Sequence, residues 1–268
     1  MRRIILFAII VLLLAGCAGT DKTGKDKIPP TKPIFYSHIG DMGDEGLLPG
    51  TYLDGVDGNE LNDYNNGIDA VHGESDYIRL QWQHLIDNDL DYIDIYRYSF
   101  YDEPVRIAQI LSSYDSYIDT TPDLFQEYKY YLEVFDEAGN STVSDTVSYK
   151  LYEKAQLLNP LNNATVNDLH DLSFRWAQIG NGELVAFYRI VLYKDISTPN
   201  YEENELVWSF NDSVIGQEVF EIDYTTVGGS VNIPNGEYYW RVDAFMYNSE
   251  NDVYYGSESV AYRIQIYQ

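Results

Sequence analysis

The chain has 268 residues, and its 43 Asp and Glu against 17 Lys and Arg leave a formal charge of −26. That balance excludes nucleic-acid binding through phosphates, which needs a basic surface, and adsorption to anionic lipid through a polybasic face. A single Cys excludes an internal disulfide and any Cys-based zinc or iron–sulfur site, whereas 45% apolar residues with 26 Tyr, 10 Phe and 4 Trp are enough to build two cores.

Arg2 and Arg3 open the chain, an uninterrupted apolar run follows from Ile4 to Leu14, and small residues lead to Cys17. This is the pattern of a secretory signal, and the run is too short to span a bilayer as a helix of about 20 residues. The stretch Leu14-Ala15-Gly16-Cys17 resembles the bacterial lipobox. The resemblance implies a signal peptide over 1–16, cleavage before Cys17, a diacylglyceryl group on its thiol and acylation of the new amino terminus. Two or more acyl chains hold a protein firmly, since each buried methylene contributes about 0.8 kcal/mol. Loss of Arg2 and Arg3 takes the charge to about −28. Ala18 after the Cys, where an Asp would mark inner-membrane retention in Gram-negative lipoproteins, implies the outer membrane if the cell has one.

Residues 17–33 read as the lipidated Cys and a flexible polar tether, with Pro29, Pro30 and Pro33 marking entry to the first folded unit. A second boundary falls near Tyr152–Leu157, before the turn signal of Asn159-Pro160. The folded units are therefore expected over 34–151 and 152–268. Both show period-two alternation. Ile78, Leu80 and Trp82 share one face, as do Ile93 and Ile95, then Tyr128, Tyr130, Leu132 and Val134. A last strand from Val143 to Leu151 is interrupted around Ser144–Thr146. The second half repeats the plan with Leu172, Phe174 and Trp176, then Tyr188, Ile190 and Leu192, then Tyr238, Trp240, Val242 and Ala244, and finally Val260 to Ile266. The segment from Asp195 to Gly236, with Trp208 and Phe210, is expected to add an edge strand. No long 3.6-residue stripe occurs, so the fold class is all-β, two tandem antiparallel sandwiches.

These runs resemble fibronectin type III domains, a subclass of immunoglobulin-like sandwich. Ile78-x-Leu80-x-Trp82 looks like strand B, Tyr92 to Arg97 like strand C, and Tyr128 to Ser141 like strand F with its turn. Phe174-x-Trp176, Tyr188 to Tyr193 and Gly236 to Ala244 match the same three strands in the second half. The resemblance implies that the hydroxyl of Tyr128 is tied back to nearby backbone as a tyrosine corner. One departure is a stretch of about 40 residues between Phe35 and Ile78, where the family has a short connection; loops this long are usually functional or disordered.

That insert carries Asp54, Asp57, Asn59 and Asp63 among glycines, oxygen ligands of the type calcium takes, although the EF-hand spacing is absent. The alternative is a solvated acidic loop. Asp87, Asp89, Asp91 and Asp94 read as structural carboxylates around the B–C turn. Tyr96, Tyr98, Tyr101 and Tyr131 form a candidate aromatic binding face, against the alternative that they are core and cross-strand pairs. The four His have no metal-ligand spacing, and the G-x-S-x-G, H-E-x-x-H and phosphate-loop motifs are absent. No cofactor other than calcium is suggested, and no catalytic residue is assigned. The resulting expectation is a membrane-anchored envelope lipoprotein that binds protein or glycan without catalysis. A structural or docking component of an envelope assembly is the alternative, and an enzyme accessory or carbohydrate-active protein the third reading.

Overall fold

The computed structural model describes residues 26–36, 67–178, 185–195, 205–212, 218–227, 233–249 and 253–268. The signal segment, the start of the tether and Asp54, Asp57, Asn59 and Asp63 lie outside them.

The first half holds strands β1 (Ile68–Ala70), β2 (Ile78–Gln81), β3 (Leu90–Tyr98), β4 (Val105–Leu111), β5 (Ser116–Asp119), β6 (Glu127–Asp136), β7 (Ser141–Val143) and β8 (Val147–Lys150). They form two sheets. One has the order β1-β2-β5; the other has the order β4-β3-β6, with β7 and β8 lying end to end along β6. The second half holds β9 (Gln156–Asn159), β10 (Ala164–Val166), β11 (Ser173–Ala177), β12 (Phe187–Lys194), β13 (Glu205–Asp212), β14 (Val219–Asp223), the helical turn α1 (Tyr224–Val227), β15 (Gly236–Asn248), β16 (Val253–Glu258) and β17 (Tyr262–Ile266). Its sheets run β14-β11-β9 and β10-β17-β15-β12-β13, with β16 beside the far end of β15. A three-stranded A-B-E sheet facing a C′-C-F-G sheet is the fibronectin type III arrangement, here built twice. The edge strand expected from Asp195–Gly236 is β13, paired with β12; it holds the C′ place that β4 holds in the first half and so is not an addition to the family order.

The alternation does what it requires physically. On β6 the pattern of buried and half-buried residues is strict over ten positions. The inward members Tyr130, Leu132 and Val134 meet Ile78, Leu80 and Trp82 from the opposite sheet in one core. Trp82 satisfies its indole N–H on the carbonyl of Tyr114 at 3.2 Å. In the second half Phe174 stacks on Trp208 (5.3 Å) and Trp176 on Phe220 (5.5 Å). Burying a Trp removes roughly 200 Å² from water, about 5 kcal/mol as an upper figure.

The interruption expected in the last strand is present in both halves and has one cause. Between β7 and β8, Ser144 Oγ accepts the Leu132 N–H (2.9 Å) and donates to the Asp145 carbonyl (2.6 Å). Between β16 and β17, Ser259 Oγ accepts the Val242 N–H (2.9 Å) and donates to the Val260 carbonyl (2.9 Å). A serine thus satisfies the backbone where the ladder breaks. The tyrosine corner is met in the second half, where the Tyr238 hydroxyl donates to the Pro234 carbonyl. In the first half the Tyr128 hydroxyl is tied to Asp123 five residues upstream, through its backbone and through its carboxylate, to which it donates at 3.0 Å.

Two further corrections concern the start of the first sandwich. The tether is not free up to Pro33. From Asp26 onward it is tied to the domain: Thr31 donates twice to Asp87, Thr142 Oγ1 donates to the Pro30 carbonyl, and Lys32 pairs with Asp145. Its prolines Pro30 and Pro33 are buried. Second, the expected insert contains a strand. Phe35 bridges to Trp82, and β1 pairs with β2 from Ile68 on. Gly67 sits between them at φ +72°, where a Cβ would lie 2.4 Å from the Gln81 carbonyl oxygen and 2.7 Å from the Tyr36 nitrogen. Only glycine fits there. Tyr36 and Gly67 thus meet the same residue of β2: the Tyr36 N–H donates to the Gln81 carbonyl (3.2 Å), and the Gln81 N–H donates to the Gly67 carbonyl (2.8 Å).

The two sandwiches are joined by a short, buried linker. Leu151, Tyr152 and Ala155 are buried. The Lys154 ammonium donates to three carbonyls of the β1–β2 loop: Val71 (2.7 Å), Gly73 (2.9 Å) and Ser75 (2.7 Å). Burial pushes its pKa down, against the pull of Asp76 and Glu258. Ser257 Oγ donates to the Glu153 carbonyl, and the Tyr149 and Tyr255 rings meet edge to face across the junction.

Candidate functional site: the open sheet of the first sandwich

Residues of β3 and β6 that alternate with the core face outward. Tyr92 stacks on Phe135 with centroids 4.6 Å apart, and Tyr96 on Tyr131 at 4.8 Å and 10°. Tyr98 packs its edge on Tyr131 at 6.3 Å. All five rings are half-buried. The structure thus brings together Tyr96, Tyr98 and Tyr131 of the sequence-derived face and adds Tyr92 and Phe135. Register explains it: Tyr96 and Tyr131 are directly opposed, as are Tyr92 and Phe135. Directly opposed aromatic pairs are the strongest cross-strand contacts.

Tyr101 lies apart, in the β3–β4 turn. Ser99 and Asp102 brace that turn through a side-chain hydrogen bond and a 3.3 Å backbone bond. Its two central residues, Phe100 and Tyr101, are 80% and 92% exposed and pack on each other at 4.9 Å. These two rings are exposed apolar groups that water solvates poorly, at the end of the strand that carries Tyr92, Tyr96 and Tyr98.

Asp94 lies between the two aromatic pairs. It is buried, accepts from Arg106 (2.9 Å) and Gln109 (2.9 Å) on β4, and fixes Arg106 along the sheet. Its role is structural, as the sequence reading of the acidic group holds, and Asp87 is spent on the tether. Burial, followed by Glu133 and Asp94, raises the Tyr96 pKa, and burial followed by Tyr96 raises that of Tyr131. Both hydroxyls therefore stay protonated, that of Tyr96 hydrogen-bonded to Glu133.

The same sheet face of the second sandwich is closed. Arg189, Val191, Tyr193, Arg241, Asp243 and Phe245 are all buried. Arg241 grips Asp243 through two hydrogen bonds (2.8 and 3.0 Å) and meets Glu258 at 2.6 Å. Alternation with Trp240, Val242 and Ala244 puts Arg241 and Asp243 on the outer face. It carries no signal that the outer face is itself buried.

Asp26, Asp89 and Asp136 place carboxylate oxygens within 4.8 Å of one another, the one such group of three among the described residues. Oxygen donors of this kind suit a hard cation. Asp136, however, already accepts the backbone N–H and side-chain amide of Asn140, both at 2.7 Å. Burial raises its pKa, but the Asn140, Ala138 and Gly139 hydrogen bonds outweigh that and leave it below 3.8. These bonds shape the β6–β7 turn against the tether.

Comparison with known proteins bears on the anchor. Residues 1–18 match the prokaryotic membrane lipoprotein lipid attachment site, and Cys17 is the one cysteine they contain. No curated protein matches the chain. Among solved structures it is similar to the FN1–FN3 domains of chicken CNTN1 (15% identity over 76% of this chain and 66% of that one, TM-score 0.33). It is also similar to a two-domain fibronectin type III segment of chicken tenascin (12% identity, 77% and 100%, TM-score 0.28). Pectate lyase PelI from Erwinia chrysanthemi aligns at 20% identity over 35% of this chain, TM-score 0.26, and the chain spans only 31% of its length. The chain is a lipid-anchored envelope lipoprotein bearing two fibronectin type III-like sandwiches.

Proposed function

We propose that the protein is a non-catalytic docking module that holds a protein partner against the membrane through the open sheet of its first sandwich. The carrying observation is the contrast between two equivalent surfaces: the C′-C-F-G face is buried in the second sandwich and presents an aromatic ladder to solvent in the first, beside the projecting Phe100 and Tyr101. Ring geometry favours protein over glycan. A sugar stacks on a free ring face, whereas Tyr96 and Tyr131 are stacked on each other, as are Tyr92 and Phe135, so each of these rings has one face taken. What is offered outward is ring edges and hydroxyls, the surface that tyrosine brings to protein interfaces. Ala18 supports an outer-membrane position in a Gram-negative cell. The test is crosslinking in intact cells followed by recovery of the chain, with F100A/Y101A beside the unaltered protein. A discrete adduct lost in the double variant supports the reading. Adducts that are the same in both, or strong binding on a glycan array, would overturn it.

A further inference from the structure

We propose a second interaction surface: the pole of the first sandwich at which the tether enters rests on the bilayer that carries the Cys17 anchor, through apolar side chains and not through charge. Three segments close on the β2–β3 loop to build this pole. The tether meets it where the Ile34 carbonyl accepts the Gln83 N–H (2.9 Å) and Thr31 bonds Asp87. At the β4–β5 turn, the Tyr114 carbonyl accepts the Trp82 indole N–H (3.2 Å), the Asp115 carbonyl accepts the Trp82 backbone N–H (2.9 Å), and Ser112 Oγ donates to the Leu90 carbonyl (3.3 Å). From the β6–β7 turn, the Glu137 N–H donates to the Asp89 carbonyl (2.8 Å). These bonds fix the shape of the pole in advance. Large apolar side chains are exposed around it: Ile28 and Ile34 on the tether, Ile86 on the loop, and Leu111 and Tyr114 at the β4–β5 turn.

The anchor selects the occupant. The Asp26 carboxylate lies within 4.8 Å of those of Asp89 and Asp136, and the Asp26 carbonyl accepts from Asn140 (3.3 Å). The chain therefore leaves toward Cys17 from this pole. Nine residue steps separate Cys17 from Asp26, and even fully extended they span no more than about 32 Å. Acyl chains in the bilayer thus hold the pole at a high local concentration beside lipid, where a contact too weak to bind a free domain is sufficient. Isoleucine and leucine gain by entering the acyl boundary, and tyrosine suits the headgroup level, with an apolar ring and a wet hydroxyl. Charge opposes the contact: Asp91, Asp115 and Glu137 are exposed on the same pole, so anionic headgroups repel it. Phe100 and Tyr101 follow the other end of β3, a strand of 9 residues or about 30 Å, which keeps them clear of lipid. This surface is separate from the aromatic sheet.

The test uses the full lipidated chain in phosphatidylcholine nanodiscs whose lipids carry a nitroxide quencher near the headgroup end of the acyl chain. Cys17 is the one native cysteine and its thiol is acylated, so an introduced cysteine takes the fluorophore alone. Asn88→Cys labels the loop that carries Ile86, and Glu103→Cys labels the opposite pole; both positions are exposed. Quenching is expected at 88 and not at 103. Ile86→Ser combined with Leu111→Ser should lower the ratio of seated to free pole about tenfold, whereas a pole that is merely tethered nearby keeps its quenching. Both side chains are exposed, so the double variant keeps its fold. Replacing about a third of the lipid with phosphatidylglycerol should weaken the quenching at 88. Equal quenching at 88 and 103, quenching at 88 that survives the double variant, or quenching that grows with phosphatidylglycerol would overturn the proposal. So would no quenching at 88, which would leave this pole to a protein or to solvent.

Discussion

Asp119 is the residue on which the first sandwich should depend most. It closes β5 in one sheet, is 1% exposed, and accepts from Arg97 of β3 (2.7 Å) and the Tyr130 hydroxyl of β6 (2.9 Å) in the other. It also accepts the Thr121 N–H (3.0 Å) and hydroxyl (3.1 Å). Asp119→Ala strands Arg97 and leaves a buried hydroxyl without its acceptor. Removing one partner of a buried pair costs about 3–5 kcal/mol. Arg97 keeps 19% of its side chain exposed, so hydration recovers part of that and about 2 kcal/mol remains for the charge. The Tyr130 hydroxyl adds about 1–2 kcal/mol. The total is about 3–4 kcal/mol, or a fall of roughly 10–20 °C in melting temperature for a domain of this size. Amide exchange on β3 and β6, read by mass spectrometry in the full chain, reports it domain by domain. Asp119→Asn should cost about half as much, and Asp145→Asn, at an exposed pair with Lys32, less than about 1 kcal/mol. A loss below about 1 kcal/mol in Asp119→Ala, or an equal loss in the second sandwich, would refute the reasoning.

Other outcomes follow from the same geometry. Ser144→Ala and Ser259→Ala each leave a backbone N–H without its acceptor and should cost about 1–2 kcal/mol, each in its own sandwich and additively; exchange at Leu132 and Val242 checks this. Lys154→Met should broaden the interdomain distance distribution seen by fluorescence transfer while the interior of each sandwich keeps its protection, and an unchanged distribution would count against the clamp. The folded-state pKa of Asp136 lies below 3.8, so its carboxylate adds stability at neutral pH that is lost as pH falls through the folded-state value. Asp136→Asn should therefore be less stable than the unaltered chain at neutral pH, the gap closing in acid; denaturant titrations across pH measure it.

Much of the fold was legible because it rests on local pattern. The period-two runs that carry Trp82, Trp176 and Trp240 have one face to bury, and the break at Ser144 shows as a lapse in alternation. What sequence could not show is pairing between distant polar groups. Nothing in Thr31 or Asp87 announces that they meet, so sequence alone reads the tether as free to Pro33. Lys154 looks like any linker lysine until three carbonyls converge on it. Nothing in sequence links Phe35 to Ile68; only their shared pairing with the Ile78–Trp82 stretch does. For the candidate site, alternation gave Tyr96, Tyr98 and Tyr131 one face. Tyr92 and Phe135 needed the β3–β6 register, and the closure of the matching face in the second half needed the Arg241–Asp243–Glu258 group.

The central claim is that the open sheet of the first sandwich holds a protein at the membrane. The most direct measurement places a photo-crosslinking amino acid at Tyr101, and in parallel at Ile118, which is exposed on β5 of the opposite sheet, in cells making the full lipidated chain. Irradiation should give one discrete protein adduct from position 101 and none from 118. No adduct at 101, or the same adducts from both positions, would contradict the claim.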